Sequence, residues 1–223
     1  MSPIAANLQA VRRRISEALQ GDSRAVTLVA VSKARAVEEI SEALAAGCRD
    51  FGENYVQEAL EKIDAVPGLA WHLVGPLQSN KTRLAAERFD WVQTVASEKI
   101  ARRLSEQRPA GLAPLNVLIQ VNASGEASKS GIAPAAAAAL ASTIASLKNV
   151  RLRGLMAIPE PGAPRERYRE VRELYEKMKG EFGFDTLSMG MSDDMDMAIA
   201  EGATMVRVGT AIFGQRQKEK SAA

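Results

Sequence analysis

The feature that most restricts the fold of this chain is an eightfold alternation of short apolar segments with longer segments of helical periodicity. Continuous apolar character is typical of parallel strands that are covered on both faces and joined by right-handed helical crossovers. The eight predicted strands are TLVAVSK (27–33), RDFGEN (49–54), WHLVGP (71–76), WVQTVAS (91–97), LNVLIQVN (115–122), LRGLMAIP (152–159), TLSMGMS (186–192) and MVRVGTAIF (205–213).

The segments between these predicted strands carry apolar residues three and four positions apart, as at Val56, Ala59, Leu60 and Ile63. That spacing indicates amphipathic helices. Eight strand–helix units are the number that closes a (β/α)8 TIM barrel. We therefore predict an α/β chain of one domain, residues 1–223. The alternative is an open six-stranded sheet with two segments misassigned.

The first twenty residues form a further helical pattern before the first predicted strand. Pro3 suits the first turn of a helix, and an amphipathic N-terminal helix is the favoured interpretation. Three consecutive arginines at 12–14 give a mitochondrial transit peptide as the alternative. The apolar stripe consists of Ile4, Leu8, Val11, Ile15 and Leu19.

Composition excludes several classes of function. The formal net charge is +2, with basic and acidic residues interspersed, which argues against a nucleic-acid partner. One cysteine, Cys48, and one histidine, His72, exclude an internal disulfide and the usual zinc clusters, so we expect no metal. No apolar run reaches the roughly 18 residues that span a bilayer, and no signal peptide is evident. We expect a cytoplasmic protein without a membrane partner.

Polar residues end several predicted strands, where the active sites of such barrels form. Lys33 follows the apolar run 28–31, which places an amine at the mouth of a low-dielectric barrel. Burial there favours the neutral, nucleophilic amine and suits a Schiff base with an aldehyde. A solvated lysine at a strand end is the alternative.

The last two predicted strands supply the residue types of a phosphate site. Ser192 is a natural helix N-cap after the seventh strand, and small residues nearby allow an anion to approach backbone N–H groups. Arg207, Gly209 and Thr210 add a guanidinium, a second close-approach glycine and a hydroxyl. Phosphate sites after strands seven and eight recur in TIM barrels. The acidic residues at 193–194 argue slightly against an anion.

Other polar residues have simpler interpretations. His72 lies within the third strand and is expected to be a barrel-lining histidine hydrogen-bonded to a neighbour. Cys48 ends an alanine-rich helix and is expected to be a small buried apolar residue. The polar loop 122–131 either closes over a ligand or is merely solvated.

The whole set of motifs resembles the pyridoxal phosphate homeostasis protein family, the YggS-like single-domain relatives of the alanine racemase barrel. The resemblance implies a barrel of pyridoxal 5′-phosphate (PLP) fold type III. The matching segments, in family order, are VAVSK (29–33), FGENYVQE (51–58), WHLVGPLQSNK (71–81), EASKSGI (126–132), GLMAIP (154–159), LSMGMSDDM (187–195) and VRVGTAIFG (206–214).

This resemblance implies roles for six residues. Lys33 would carry the PLP imine, and Asn54 would reach the ring or its hydroxyl. Arg207 would lie beside the cofactor, at either the pyridine nitrogen or the phosphate. One departure is Ala34–Val37, where relatives often have a proline after the lysine; it leaves the lysine assignment intact. The phosphate would be held by Ser192, Gly209 and Thr210.

Three functions follow from this site. The first is a PLP carrier for cofactor homeostasis, with no catalytic residue, apo PLP enzymes as recipients, and a monomer or weak homodimer as its state. The second is a PLP-dependent racemase, which needs a proton-transfer group on each face of the substrate. Because eight units exhaust the chain and neither Cys48 nor His72 is an obvious second group, we favour the carrier. The third is a PLP-free Schiff-base aldolase acting on sugar phosphates.

Overall fold

Eight parallel strands close into a barrel in the computed structural model, which describes residues 2–124 and 130–215. Each strand pairs with the next along the chain, and the last pairs with the first, so the predicted TIM barrel is confirmed and the open six-stranded sheet is excluded. The strands are β1 Thr27–Val31, β2 Asp50–Glu53, β3 Ala70–Leu73, β4 Trp91–Val95, β5 Leu115–Val121, β6 Val150–Ala157, β7 Thr186–Ser188 and β8 Met205–Val208.

One helix follows each strand, and one more precedes β1. Short 3₁₀ turns at Ser79–Lys81 and Pro134–Ala136 lead into the fourth and sixth helices. The helices are α1 Pro3–Leu19, α2 Val37–Ala45, α3 Val56–Ala65, α4 Thr82–Arg88, α5 Glu98–Gln107, α6 Ala137–Ala145, α7 Arg165–Phe182, α8 Met195–Ala200 and α9 Thr210–Phe213.

Several strands end earlier than the sequence pattern predicts. The predicted strand 27–33 stops at Val31, and Ala34 adopts a φ of 56°, which a strand cannot accommodate. The predicted strand 186–192 stops at Ser188, two residues before a glycine with a φ of 96°. The predicted strand 205–213 is wrong beyond Val208, because 210–213 form a helical turn.

The N-terminal helix is an integral part of the fold, as the amphipathic interpretation predicts. The Ser2 hydroxyl accepts a hydrogen bond from the Ala5 N–H at 3.3 Å, and Pro3 occupies the first turn. The helix packs on α2, α8 and α9, and Asn7 Nδ2 donates to the Ile212 carbonyl at 2.8 Å. Its buried apolar residues are Ile4, Leu8, Val11 and Ile15.

The interior of the barrel contains several polar side chains, whereas the main apolar core lies between the barrel and its helices. Such barrels are usually filled by branched apolar side chains. Here His72, Gln93 and Ser188 are fully buried and Arg207 is 4% exposed. Because a buried polar group without a partner is costly, these side chains hydrogen-bond to one another across the interior.

Within residues 2–124 and 130–215, no helix has the length and apolar character needed to cross a membrane. The same residues contain no cluster of three acidic, histidine or cysteine side chains that could hold a metal ion. Part of the loop 122–131, namely residues 125–129, lies outside the described residues, as does the tail 216–223.

The contact between β6 and β7 requires glycine at position 154. Gly154 has a φ of 151°, and a Cβ atom there would lie 1.9 Å from the Thr186 carbonyl oxygen. We expect Gly154→Ala to lower the free energy of unfolding by about 2–3 kcal/mol. Gly180→Ala is the matched control, because Gly180 lies within α7 with no atom near its Cβ position, and it should stabilise by about 0.5–1 kcal/mol. Urea unfolding followed by circular dichroism measures both; equal midpoints for Gly154→Ala and the wild type would contradict this account.

Candidate functional site

A cavity of about 280 Å³ opens at the carboxyl ends of the strands. This size is just below the roughly 300–1,000 Å³ usual for ligand pockets. Connections after β1, β2, β7 and β8 meet at its wall. The six residues singled out from the sequence all line this one cavity, namely Lys33, Asn54, Ser192, Arg207, Gly209 and Thr210.

Lys33 stands at the start of the turn between β1 and α2, where the backbone is tightly held. The next residue, Ala34, has a positive φ of 56°, an uncommon conformation for a residue other than glycine. Its N–H donates to Glu58 Oε1 at 2.5 Å, and the N–H of Arg35 donates to the Ser32 carbonyl at 3.1 Å. These bonds stabilise the turn and so fix where the Lys33 side chain begins.

A buried charged cluster lies directly beneath this turn. Lys62 Nζ donates to Glu53 Oε1 at 2.7 Å, to Glu58 Oε1 at 2.6 Å and to the Ser32 carbonyl at 2.7 Å. The Ser32 hydroxyl also donates to Glu53 Oε1, at 2.6 Å. Burial raises the pKa of Glu53, and the hydrogen bonds from Lys62 and Ser32 oppose that shift. The cluster ties the end of β1 to β2 and α3.

Sequence reasoning missed this cluster as a functional feature. Glu53 and Glu58 stand in the FGENYVQE segment, so that motif contains a signal for them. Lys62 lies on α3, one helical turn after Glu58, and this spacing puts the two side chains on one face. Only the fold shows that this face lies against the Lys33 turn.

Asn54 follows β2, and its backbone packs tightly against the connection that follows β3. This contact holds Asn54 at the cavity. A Cβ atom on Gly75 would lie 2.2 Å from the Asn54 carbonyl oxygen, so only glycine fits there. The Gly75 carbonyl in turn accepts a hydrogen bond from Thr94 Oγ1 at 2.8 Å. Three successive strands are thereby connected at the cavity wall.

The connections after β7 and β8 form the opposite wall. The Ser192 hydroxyl accepts a hydrogen bond from the Ala211 N–H at 3.2 Å, so it joins the first turn of α9. A Cβ atom on Gly209 would lie 3.2 Å from the Val31 carbonyl oxygen, tighter than most real contacts, so this glycine keeps β8 close to β1. Thr210 begins α9 at the same wall.

The prediction that Ser192 caps the helix after β7 is wrong. That helix, α8, begins only at Met195, and its N-cap residue is Asp194. Asp194 Oδ1 instead closes the preceding turn by accepting the Met191 N–H at 2.5 Å. Because the helix begins three residues after Ser192, the serine side chain is left to bond with α9.

The turn that contains Ser192 is supported from outside the barrel. Arg14 of α1 donates from Nη1 to the Ser192 carbonyl at 3.1 Å and from Nη2 to Asp196 Oδ2 at 2.7 Å. The Tyr168 hydroxyl donates to Asp194 Oδ2 at 2.5 Å. Burial, followed by this hydrogen bond, raises the pKa of Tyr168. Sequence reasoning did not identify these supports, because they come from distant parts of the chain.

Arg207 forms the floor of the cavity. Its Nη1 donates to Ser188 Oγ at 2.6 Å and its Nη2 donates to the Ala157 carbonyl at 2.9 Å. Burial lowers the pKa of Arg207 to about 10, and the charge of Asp194 acts in the opposite direction. No carboxylate among residues 2–124 and 130–215 forms an ion pair with it. A buried cation in this position favours an anionic or electron-rich ligand.

The one histidine and the one cysteine of the sequence, His72 and Cys48, do not line the cavity. His72 is fully buried and bonds to Asp50 and Gln93, which confirms the prediction of a barrel-lining histidine. Cys48 is buried as predicted, but it follows α2, which ends at Ala45, by three residues. Burial raises the pKa of its thiol, so it is a poor nucleophile.

Comparison with known proteins identifies close relatives. The family model described as "Alanine racemase, N-terminal domain" matches residues 2–217. A protein of Pseudomonas aeruginosa named "Pyridoxal phosphate homeostasis protein" is 57% identical over 97% of both chains. An Escherichia coli protein of the same name is 52% identical over 99% of this chain and 100% of its own.

Solved structures agree with this assignment. PipY of Synechococcus elongatus, described with PLP bound, superposes with a TM-score of 0.82 at 37% identity, covering 95% of this chain and all of its own. An alanine racemase of Clostridium difficile shares the fold alone, at 14% identity and a TM-score of 0.76, and only 58% of that chain is covered. The chain thus has the fold-type III barrel. It belongs to the family of the alanine racemase N-terminal domain and, within it, to the pyridoxal phosphate homeostasis proteins.

Proposed function

We propose that this chain binds PLP covalently through Lys33 and acts in cytoplasmic supply of the cofactor, with little or no turnover. The observation that carries the proposal is that a primary amine and a wall of small and hydroxyl residues line the same cavity. The names and full-length similarity of the relatives support it.

The residues at the cavity fit the chemical groups of PLP. Bound PLP supplies an aldehyde, which a primary amine captures reversibly as a Schiff base, and Lys33 is the lysine at the wall among the described residues. Ser192, Gly209 and Thr210 would hold the phosphate, because they combine hydroxyls with a residue that permits close approach. Asn54 would contact the ring or its hydroxyl.

We place Arg207 at the ring nitrogen rather than at the phosphate. Its Nη1 bonds to Ser188, which pairs in register with Met205, two residues deeper in β8 than Arg207 itself. The guanidinium is therefore directed into the barrel, away from Thr210 at the mouth. An arginine facing the nitrogen keeps it unprotonated and weakens the ring as an electron sink, which suits storage of the cofactor.

The composition of the cavity wall supports a carrier over a racemase. Racemisation needs a second proton-transfer group opposite the lysine. Among the described residues that line the cavity there is no cysteine, histidine or tyrosine. Apo PLP enzymes are the recipients that a carrier of this kind would serve.

Borohydride reduction followed by peptide mass mapping tests the covalent attachment. In the PLP-loaded wild type, the reduced adduct should lie on the peptide that contains Lys33, and Lys33→Ala should remove it. Lys148→Ala, which replaces an exposed lysine, is the control and should keep the full adduct. An adduct of unchanged amount on another lysine of Lys33→Ala would refute the assignment.

Amino-acid turnover tests the carrier role. We expect the PLP-loaded protein to racemise alanine and other amino acids no faster than an equal concentration of free PLP, because the second proton-transfer group is missing. Chiral chromatography of the product measures this. A rate that is well above free PLP and is lost in Lys33→Ala would establish the racemase instead.

The buried cluster beneath Lys33 gives a stability prediction. Lys62→Met would leave Glu53 buried without its cation, and we expect a loss of about 3–5 kcal/mol in the free energy of unfolding. Lys179→Met is the control, since Lys179 is half-exposed and its pairing with Glu176 contributes little. Urea denaturation compares the two variants; equal midpoints would show that the cluster does not stabilise the Lys33 turn.

A further inference from the structure

A chain of four hydrogen bonds crosses the barrel interior from the cavity to the opposite end. Arg207 Nη1 contacts Ser188 Oγ at 2.6 Å, and that hydroxyl contacts Gln93 Oε1 at 2.7 Å. Gln93 Nε2 lies 3.0 Å from His72 Nδ1, and His72 Nε2 lies 3.0 Å from Asp50 Oδ1. The five side chains come from β8, β7, β4, β3 and β2.

The two end residues of this hydrogen-bond chain fix the direction of every bond in it, because one can only donate and the other accepts. Arg207 can only donate, so Ser188 Oγ accepts from it and passes its own hydrogen to the Gln93 carbonyl oxygen. The Gln93 amide nitrogen then donates to His72 Nδ1. His72 is left with its hydrogen on Nε2, and it donates that hydrogen to the Asp50 carboxylate. All four donors therefore point the same way, from a cation to an anion.

The three middle residues of the hydrogen-bond chain are shielded from water. His72, Gln93 and Ser188 are fully buried, while the Asp50 side chain is 30% exposed. The second amide hydrogen of Gln93 is directed to Met205 Sδ at 3.1 Å, so the amide orientation is fixed. In a low-dielectric interior, aligned hydrogen bonds polarise and strengthen one another.

We infer that this chain of hydrogen bonds positions the Arg207 guanidinium against bound PLP. The same hydrogen bonds couple the cavity to His72 and Asp50 at the far end of the barrel. The inference rests on the proposed function and extends it. Donation of the Ser188 hydroxyl hydrogen to Gln93 turns the lone pairs of Ser188 Oγ towards Arg207, so Gln93 orients the acceptor that the guanidinium uses. His72 is thus a positioning residue, although it does not line the cavity.

The test uses the fact that His72 is the single histidine of the sequence. In untagged, ¹⁵N-labelled protein, the imidazole resonances report on this residue alone. They should show hydrogen on Nε2 in the free protein, and they should shift when PLP is added. In Gln93→Met, which interrupts the chain at similar side-chain length, the shift should disappear. PLP release from this variant should be about tenfold faster, and the visible circular dichroism of bound PLP should change.

Matched variants separate this role from a general effect on the core. Gln120→Met replaces another buried glutamine, which takes no part in the hydrogen-bond chain. PLP release from this variant should stay within about twofold of the wild-type rate. Asp50→Ala removes the last acceptor at a partly exposed position, so it covers the case in which Gln93→Met does not fold. Asp50→Asn keeps an acceptor for His72 and should restore the wild-type spectrum.

Each result decides one claim. Loss of the His72 shift and faster release in Gln93→Met or Asp50→Ala, but not in Gln120→Met, supports the inference. A wild type that carries a reducible PLP adduct on Lys33, while its His72 resonances do not move and Gln93→Met releases PLP at the wild-type rate, overturns the inference alone. A wild type that forms no Lys33 adduct overturns the proposed function and the inference with it.

Discussion

Hydrogen bonding between the first and last strands is the constraint on which the site depends. β1 pairs with β8 in a register that sets Val29 beside Arg207 and Ala30 beside Val208. Lys33 and Thr210 stand near opposite ends of the sequence, and only closure of the barrel puts both at one cavity. A glycine at 209 lets the two connections approach, since any side chain would press on Val31.

Most of the buried charged side chains form ion pairs within the protein. Lys62 is neutralised by Glu53 and Glu58, and its remaining hydrogen goes to a backbone carbonyl. Such pairs contribute little net stability, but breaking one is costly, so they hold the neighbouring backbone in one arrangement. Two buried arginines, Arg108 and Arg207, form no ion pair with a carboxylate among the described residues, and of the two it is Arg207 that lines the cavity. We assign the place beside Arg207 to an electron-rich ligand.

The number and order of the strands could be predicted from the sequence, because strands buried on both faces leave continuous apolar segments. The ends of the strands could not. Ser32 and Lys33 continue the pattern of β1, but backbone conformation at Ala34 ends the strand, and composition does not report φ. Residues 210–213 are apolar because they pack as a helix, and a short apolar run does not distinguish helix from strand.

The residues of the candidate site were identifiable because they end strands, where function is concentrated in this fold. Their partners were not identifiable. Ser192 bonds to Ala211, a contact that depends on how two loops fold over the barrel. The hydrogen bonds in the barrel interior join Ser188, Gln93 and His72, which lie on three different strands. The register between two strands depends on tertiary packing, which the local sequence of either strand does not specify.

A crystal structure of the protein grown with PLP is the decisive test of whether Lys33 and the wall formed after β7 and β8 hold one cofactor molecule. We predict continuous electron density from Lys33 Nζ to the pyridine ring, with the phosphate against Ser192, Gly209 and Thr210 and the ring nitrogen facing Arg207. PLP bound at another lysine, or a phosphate located away from the connections after β7 and β8, would contradict it.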